Sequence, residues 1–167
     1  MAIRRLERDE APRFRALRLE ARTNDPDAFA GTLAQEAAKP IEWFCDRLAH
    51  DPVFGAFEPT GELVGMAGYS PGQSPRGGPG GRVWSVYVRP ALRRQRIGEA
   101  LMRAVIEHAR ALGPLLHLSV VTDNVAARRL YERLGFQLVR IGTAEIVRFD
   151  GQVFDEAHYE LQFESSG

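Results

Sequence analysis

Val86-Tyr87-Val88-Arg89-Pro90-Ala91-Leu92-Arg93-Arg94-Gln95-Arg96-Ile97-Gly98 passes from alternating β-branched and aromatic residues, through a polar turn, into the start of a helix. The alternation begins earlier, at Arg82. After the turn, Ile97, Leu101, Ala104, Val105 and Leu112 recur at helical spacing until Gly113-Pro114 stops them. Amide N–H groups in a first helical turn lack an intrahelical acceptor and carry the positive end of the dipole, so anions settle there. Arg93, Arg94 and Arg96 add guanidinium groups shaped for phosphate, and no acid lies among them. Gly98 removes a side chain where a ligand would approach the backbone. No Gly-Lys-Ser/Thr follows, so the turn is not a Walker loop, and its glycine spacing does not fit a dinucleotide fingerprint. Taken alone, it reads equally well as a surface turn capped by solvated arginines.

Working outward, the chain opens with a strand at Ala2–Leu6 and a helix capped by Asp9. Pro12 lies in that helix's first turn, and Phe14, Leu17 and Ala21 share one face. A second helix begins near Pro40 and carries Trp43, Phe44, Arg47 and Leu48. Strands at Val53–Phe57 and Leu63–Tyr69 flank the turn Pro59-Thr60-Gly61. Pro71–Gly81 holds five glycines and three prolines, the composition of a mobile hairpin connector. Beyond the long helix come a strand at Leu115–Val121, a helix at Asn124–Leu134 ended by Gly135, and a strand at Phe136–Ile141. The turn Asp150-Gly151 leads into a last strand, Val153–Phe163. The order β-α-α-β-β-β-α-β-α-β-β describes one mixed α/β (α+β) domain over 1–167, with a largely antiparallel central sheet flanked by helices.

Composition narrows the partners. The 167 residues are 44% hydrophobic and 26% charged, as in an ordinary soluble protein, and no run is apolar enough to span a membrane. The N-terminus has no signal-peptide core, so a cytoplasmic location is expected. Formal net charge is zero, which argues against a general grip on nucleic acid. Lys39 is the only lysine among 22 basic residues; the others are arginine. Cys45 stands alone, which excludes an internal disulfide and a cysteine-rich metal site, and no metal is expected. Its place within Ile41-Glu42-Trp43-Phe44-Cys45 suits a structural thiol better than a nucleophile.

A second segment gives the turn its meaning: Thr122-Asp123-Asn124-Val125-Ala126-Ala127-Arg128-Arg129-Leu130-Tyr131-Glu132-Arg133-Leu134-Gly135-Phe136. Together the two resemble the GNAT superfamily of acyl-CoA-dependent N-acyltransferases. Arg93-Arg94-Gln95-Arg96-Ile97-Gly98 is similar to that family's pyrophosphate signature, Gln/Arg-x-x-Gly-x-Gly/Ala. Asn124, Ala127, Tyr131, Gly135 and Phe136 match its Asn-x-x-Ala-x-x-x-Tyr-x-x-x-Gly-Phe helix and following strand. The order of elements fits over the whole chain, although the specific motifs span only 86–136. Arg96 replaces the signature's first glycine: a positive φ there would strain an arginine, whereas a bare N–H requirement would not.

The resemblance implies acetyl-CoA as acyl donor, held between two splayed parallel strands, here Arg82–Val88 and Leu115–Val121. Backbone amides near Val86 and Val88 would bond the pantetheine and polarise the thioester carbonyl. Tyr87, Gln95, Ile97 and Gly98 belong to the same cofactor stretch. Tyr131 occupies the family's position for protonating the departing thiolate. A phenol, with a reference pKa of about 10 against about 8.5 for a thiol, can serve there, although a core aromatic is the plainer reading. Asn124 is a good N-cap and in the family also bonds the cofactor arm or substrate. Val83-Trp84-Ser85-Val86 lacks the glutamate that relatives often carry on this strand. The base is therefore Glu36, His117, a water chain ending near Ser85, or no dedicated group. His50, His108 and His158 read as structural. Trp84, Trp43 and Phe29 are candidates for the acceptor pocket or for core, and Asp25 and Asp27 either attract a cationic amine or simply make a turn.

The expected function is acetyl transfer to a primary amine of a small molecule or a peptide N-terminus, with neither nucleic acid nor membrane as partner and a homodimer left open. A catalytically degenerate acyl-CoA-binding or sensing module is the alternative. A nucleotide-binding protein is a third reading, disfavoured by the missing Walker lysine.

Overall fold

The computed structural model describes residues 1–26, 33–148 and 150–164. Two compact units emerge, Met1–Ser70 with Val83–His108, and Pro71–Arg82 with Ala109–Gly167.

The first unit begins with β1 (Ala2–Arg5), which pairs antiparallel with β2 (Val53–Phe57); β2 pairs antiparallel with β3 (Leu63–Ser70). Helices α1 (Ala11–Asn24), α2 (Leu33–Ala37) and α3 (Ile41–His50) lie between β1 and β2 in sequence. Phe14, Leu17 and Ala21, the expected inward face of α1, are buried with Phe44 and Leu48 of α3. Phe14 meets Phe44 edge-on at 6.1 Å and Trp84 at 6.4 Å. Gly68 on β3 lies under Trp84: a Cβ there would come within 2.5 Å of the indole, so only glycine fits. α4 (Ile97–Arg110) starts in this unit, with Leu101, Met102 and Val105 fully buried.

Three expectations are corrected here. Asp9 does not cap α1. A 3-10 turn at Arg8–Glu10 precedes the helix, and the Glu10 carboxylate accepts the Glu7 N–H at 2.7 Å while pairing with Arg4. Pro12 does sit in the first turn. The short helix α2 had no counterpart in the sequence reading: its five residues are too few to show a period. Finally, α4 ends at Arg110 rather than Leu112.

The second unit contains β5 (Leu115–Val121), α5 (Val125–Arg133), β6 (Gln137–Val147) and β7 (Val153–Gln162). β7 pairs antiparallel with both β5 and β6. β4 (Gly81–Val88) begins here, and its first two residues pair parallel with β5, Gly81 with Leu116 and Arg82 with His117. The strands hydrogen-bond in the order β1-β2-β3-β4-β5-β7-β6. β6 runs past the expected end at Ile141, through an irregularity between Gly142 and Ile146 that includes Ala144 at φ +54°.

Pro71–Gly81, expected as a mobile connector, is internally hydrogen-bonded. Gln73 bridges Pro79, and Gly80 N–H donates to Gly72 at 2.9 Å. Ser74 is buried, and its hydroxyl donates to Glu160 on β7 at 2.9 Å; Arg76 pairs with the same carboxylate. The Arg76 hydrogen bond, helped by Ser74, holds the Glu160 carboxyl below its ordinary pKa in spite of burial. Among the described residues no helix is long and apolar enough to cross a membrane.

Candidate active site

Within the first unit, β4 gives way to a 3-10 turn at Pro90–Leu92 and then to α4. The first α4 amide to find a helical acceptor is that of Ala100, which donates to Arg96 O at 3.1 Å. The N–H groups of Ile97, Gly98 and Glu99 therefore have no intrahelical partner. Arg94 and Arg96 sit at φ +68° and +62°. Arg96 thus takes the left-handed conformation that the family's glycine adopts freely, at a cost of about 1–2 kcal/mol for an L-residue. Left-handed residues in a turn cluster successive amides into an anion-binding concavity. Arg94, Gln95 and Arg96 are exposed, and neither Arg94 nor Arg96 pairs with an acid among the described residues. Arg93 differs from them. It donates to Val88 O at 2.9 Å, pairs with Asp25 at 2.8 Å and lies over the Tyr87 ring, so it braces the end of β4. Asp25, expected as bait for an amine or as a turn residue, is the partner of that brace. Asp27 and Phe29 lie outside the described residues.

β4 itself departs from alternation. Trp84 and Tyr87, three residues apart, both pack into the core of α1 and α3, while Ser85 and Val86 between them are half-buried. A regular strand would place them on opposite faces. Ser85 at φ +53° breaks the extended run and reverses the parity, as a bulge does. Tyr87 consequently turns its phenol towards α1, where it donates to Glu20 and accepts from Asn24, each at 2.8 Å. Only its backbone remains for a ligand. Trp84 is core rather than pocket lining, and its indole N–H has no acceptor among the described residues. Trp43 is half-buried, edge-on to Phe44 at 4.8 Å, with Lys39 Nζ 5.8 Å from its ring centre. Cys45 packs against the same core.

The base candidates fare unequally. Glu36 on α2 is buried and held by Arg18 and Arg22, each at 2.7 Å. Burial alone would raise its pKa, but the Arg18 and then the Arg22 contacts outweigh it, leaving the carboxyl below its ordinary range. A carboxylate so engaged is a poor proton acceptor. Ser85 is also taken, because Arg18 donates to its hydroxyl. His117 on β5, in the second unit, is pushed below its ordinary pKa by burial and then by Arg82, and stays neutral at pH 7.

Also in the second unit, Asn124 Oδ1 accepts the Ala127 N–H at 3.2 Å, capping α5. Tyr131 sits in that helix's last turn. Phe136 N–H donates to Tyr131 O at 3.0 Å, and Gly135 N–H to Glu132 O at 3.1 Å, with Gly135 at φ +98°. This pair of bonds is a Schellman terminator, completed by the edge contact of Phe136 with Tyr131 at 6.0 Å. The spacing Tyr-x-x-x-Gly-Phe therefore has a physical cause: it ends the helix and seats the tyrosine in one step. The Tyr131 ring is buried and its hydroxyl has no partner among the described residues. Burial pushes the phenol well above its ordinary pKa.

His50 and His108 are structural, bonded to Asp46 O at 2.8 Å and packed on Tyr69 at 5.0 Å respectively. His158, for which the sequence suggested no partner, lies 2.7 Å from Glu145. The residues that sequence reasoning missed are Arg18 and Arg22, which no motif marks; their only signal is arginine on the inward side of an amphipathic helix.

A model of the acetyltransferase (GNAT) family matches residues 8–136. The chain belongs to that family. It is 34% identical over 122 residues to an L-methionine sulfoximine/L-methionine sulfone acetyltransferase of Pseudomonas aeruginosa, covering 67% of this chain and 70% of that one. It is 41% identical over 80 residues to N-alpha-acetyltransferase RimI of Mycobacterium tuberculosis, covering 47% and 48%. The fold matches that of yncA from Salmonella typhimurium, solved with its cofactor acetyl-CoA, at a TM-score of 0.78 and 23% identity over 100% and 96% of the two chains. Acyl-CoA-dependent N-acetyl transfer is thus the activity of this chain.

Proposed function

We propose that the protein moves the acetyl group of acetyl-CoA to the primary amine of a small molecule or a peptide N-terminus. The small amine is favoured because the methionine sulfoximine enzyme is the relative matched over more of the chain. The observation that carries the cofactor assignment is the turn before α4, with three amides free of helical acceptors and, beside them, Arg94 and Arg96 without an acid partner among the described residues. That donor set fits a pyrophosphate. The Val86 and Val88 amides take the pantetheine and the thioester oxygen, and the half-buried bulge at Ser85-Val86 supports an amide turned away from the strand ladder.

Tyr131 assists the leaving thiolate. Its raised pKa keeps the phenol protonated, and it also makes full transfer to a thiolate uphill. Tyr131 therefore acts as a hydrogen-bond donor while the thiolate forms, and the thiol proton comes finally from solvent. Glu36 being occupied, the amine loses its proton to water, with His117 the remaining side-chain candidate.

Mass spectrometry of an amine panel incubated with acetyl-CoA tests the reading. Acetylated product is expected, together with a melting temperature raised by coenzyme A more than by ATP. Stabilisation by coenzyme A with no product from any amine would establish the degenerate binding module instead. Tyr131→Phe should lower kcat by about tenfold or more while leaving coenzyme A affinity within about twofold. Unchanged turnover would remove Tyr131 from the reaction.

A further inference from the structure

The bulge in β4 needs something to hold it. Ser85 is not glycine, yet it sits at φ +53°, a conformation L-residues avoid. Its hydroxyl accepts a hydrogen bond from Arg18 Nη1. Arg18 is itself buried, and its other guanidinium nitrogens grip Glu36, Nε at 2.8 Å and Nη2 at 2.7 Å. Arg22 holds the second Glu36 oxygen at 2.7 Å. The strand's irregular residue is thus tied through one planar cation to a carboxylate on a different helix. A guanidinium fork loses little freedom in making such contacts, which suits it to a rigid strut.

From this we infer that Arg18 is a positioning residue for acetyl transfer: by holding the Ser85 hydroxyl it keeps β4 bulged and so aims the Val86 N–H at the thioester oxygen. The inference rests on the acetyl-transfer reading above and adds to it a residue that touches neither substrate. Parity along β4 supplies the link. With Ser85 in the left-handed region, Trp84 and Tyr87 share one face and Val86 is displaced from the regular alternation. Were Ser85 to relax to an extended conformation, Tyr87 or Trp84 would have to leave the core and the Val86 amide would swing with them. A preorganised donor acts only where it already points at the developing charge, so its direction governs kcat more than substrate affinity.

Glycine supplies the test, because it adopts a positive φ without a clamp. Ser85→Ala removes the hydroxyl and keeps the Cβ, and should lower kcat by about tenfold, with KM for acetyl-CoA changed by less than about threefold. Ser85→Gly also lacks the hydroxyl but should retain several times the turnover of Ser85→Ala. Arg18→Gln should resemble Ser85→Ala, and adding Ser85→Gly to Arg18→Gln should restore much of the lost kcat. Melting temperatures measured alongside separate these effects from simple destabilisation. If Arg18→Gln does not fold, the two serine variants still decide. Ser85→Ala with full turnover, or Ser85→Gly no better than Ser85→Ala, would overturn the inference. Amide NMR of the unliganded protein gives a second readout that needs no activity. The Val86 N–H resonance should move further in Ser85→Ala than in Ser85→Gly, and equal displacement would also overturn the inference. Wild-type protein that acetylates no amine sinks the transfer reading alone, and the resonance comparison still judges the strut.

Discussion

Arg96 pays for its place in the turn with backbone strain, at a position where its family has glycine. Of the two options the sequence left, Arg96 takes the strained one, at φ +62°. Arg96→Gly should therefore raise stability by up to about 1 kcal/mol, read as a rise of a few degrees in Tm. The same change removes a guanidinium that has no acid partner among the described residues from the turn proposed to hold the pyrophosphate, and should weaken coenzyme A binding about fivefold, roughly 1 kcal/mol. Both shifts are measured on one protein, by thermal melting and by titration calorimetry. A variant that loses stability would mean the arginine side chain contributes contacts outweighing its strain.

Elements differ in how plainly the sequence announces them. α1 and α4 are long enough for Phe14, Leu17 and Ala21, or Leu101 and Val105, to mark a face, and the structure buries those residues. α2 has five residues and depends on tertiary bonds, Glu36 with Arg18 and Arg22, and Ala37 O accepting from Arg15 at 3.1 Å. Nothing local could reveal it. The irregularity at Ser85 was hidden for a related reason, since its clamp lies 67 positions away. By contrast, the end of α5 was legible in full, because its terminator is local. Gly135→Ala meets space, with Leu161 Cδ1 3.4 Å from the new Cβ, so its cost comes from φ +98° alone. A loss of about 1–2 kcal/mol in urea unfolding is expected, and kcat should fall with it because Tyr131 rides on the same terminator. Loss of stability with no change in kcat would separate the helix end from the chemistry.

At the scale of the whole molecule, stability against pH carries the signature of the buried phenol. Tyr131 has a folded-state pKa raised by burial, so its contribution is intact below the unfolded value of about 10 and is lost as pH climbs above it. Thermal melts between pH 8 and 11 should show Tm falling from about pH 10 upward. Tyr131→Phe should flatten that fall, and an equal slope in the variant would assign it to other groups.

Lys39, poised over Trp43, is the only side-chain amine in a chain otherwise supplied with arginine. Guanidinium groups do not accept acetyl groups from thioesters under mild conditions, whereas amines do. A protein that handles a reactive acyl donor thus exposes almost none of the nucleophile its donor seeks. Intact-mass measurement after prolonged exposure to acetyl-CoA should show at most one hydroxylamine-stable side-chain acetyl, on Lys39, and none after Lys39→Arg. One side-chain amine is all that the chain offers to its own reagent.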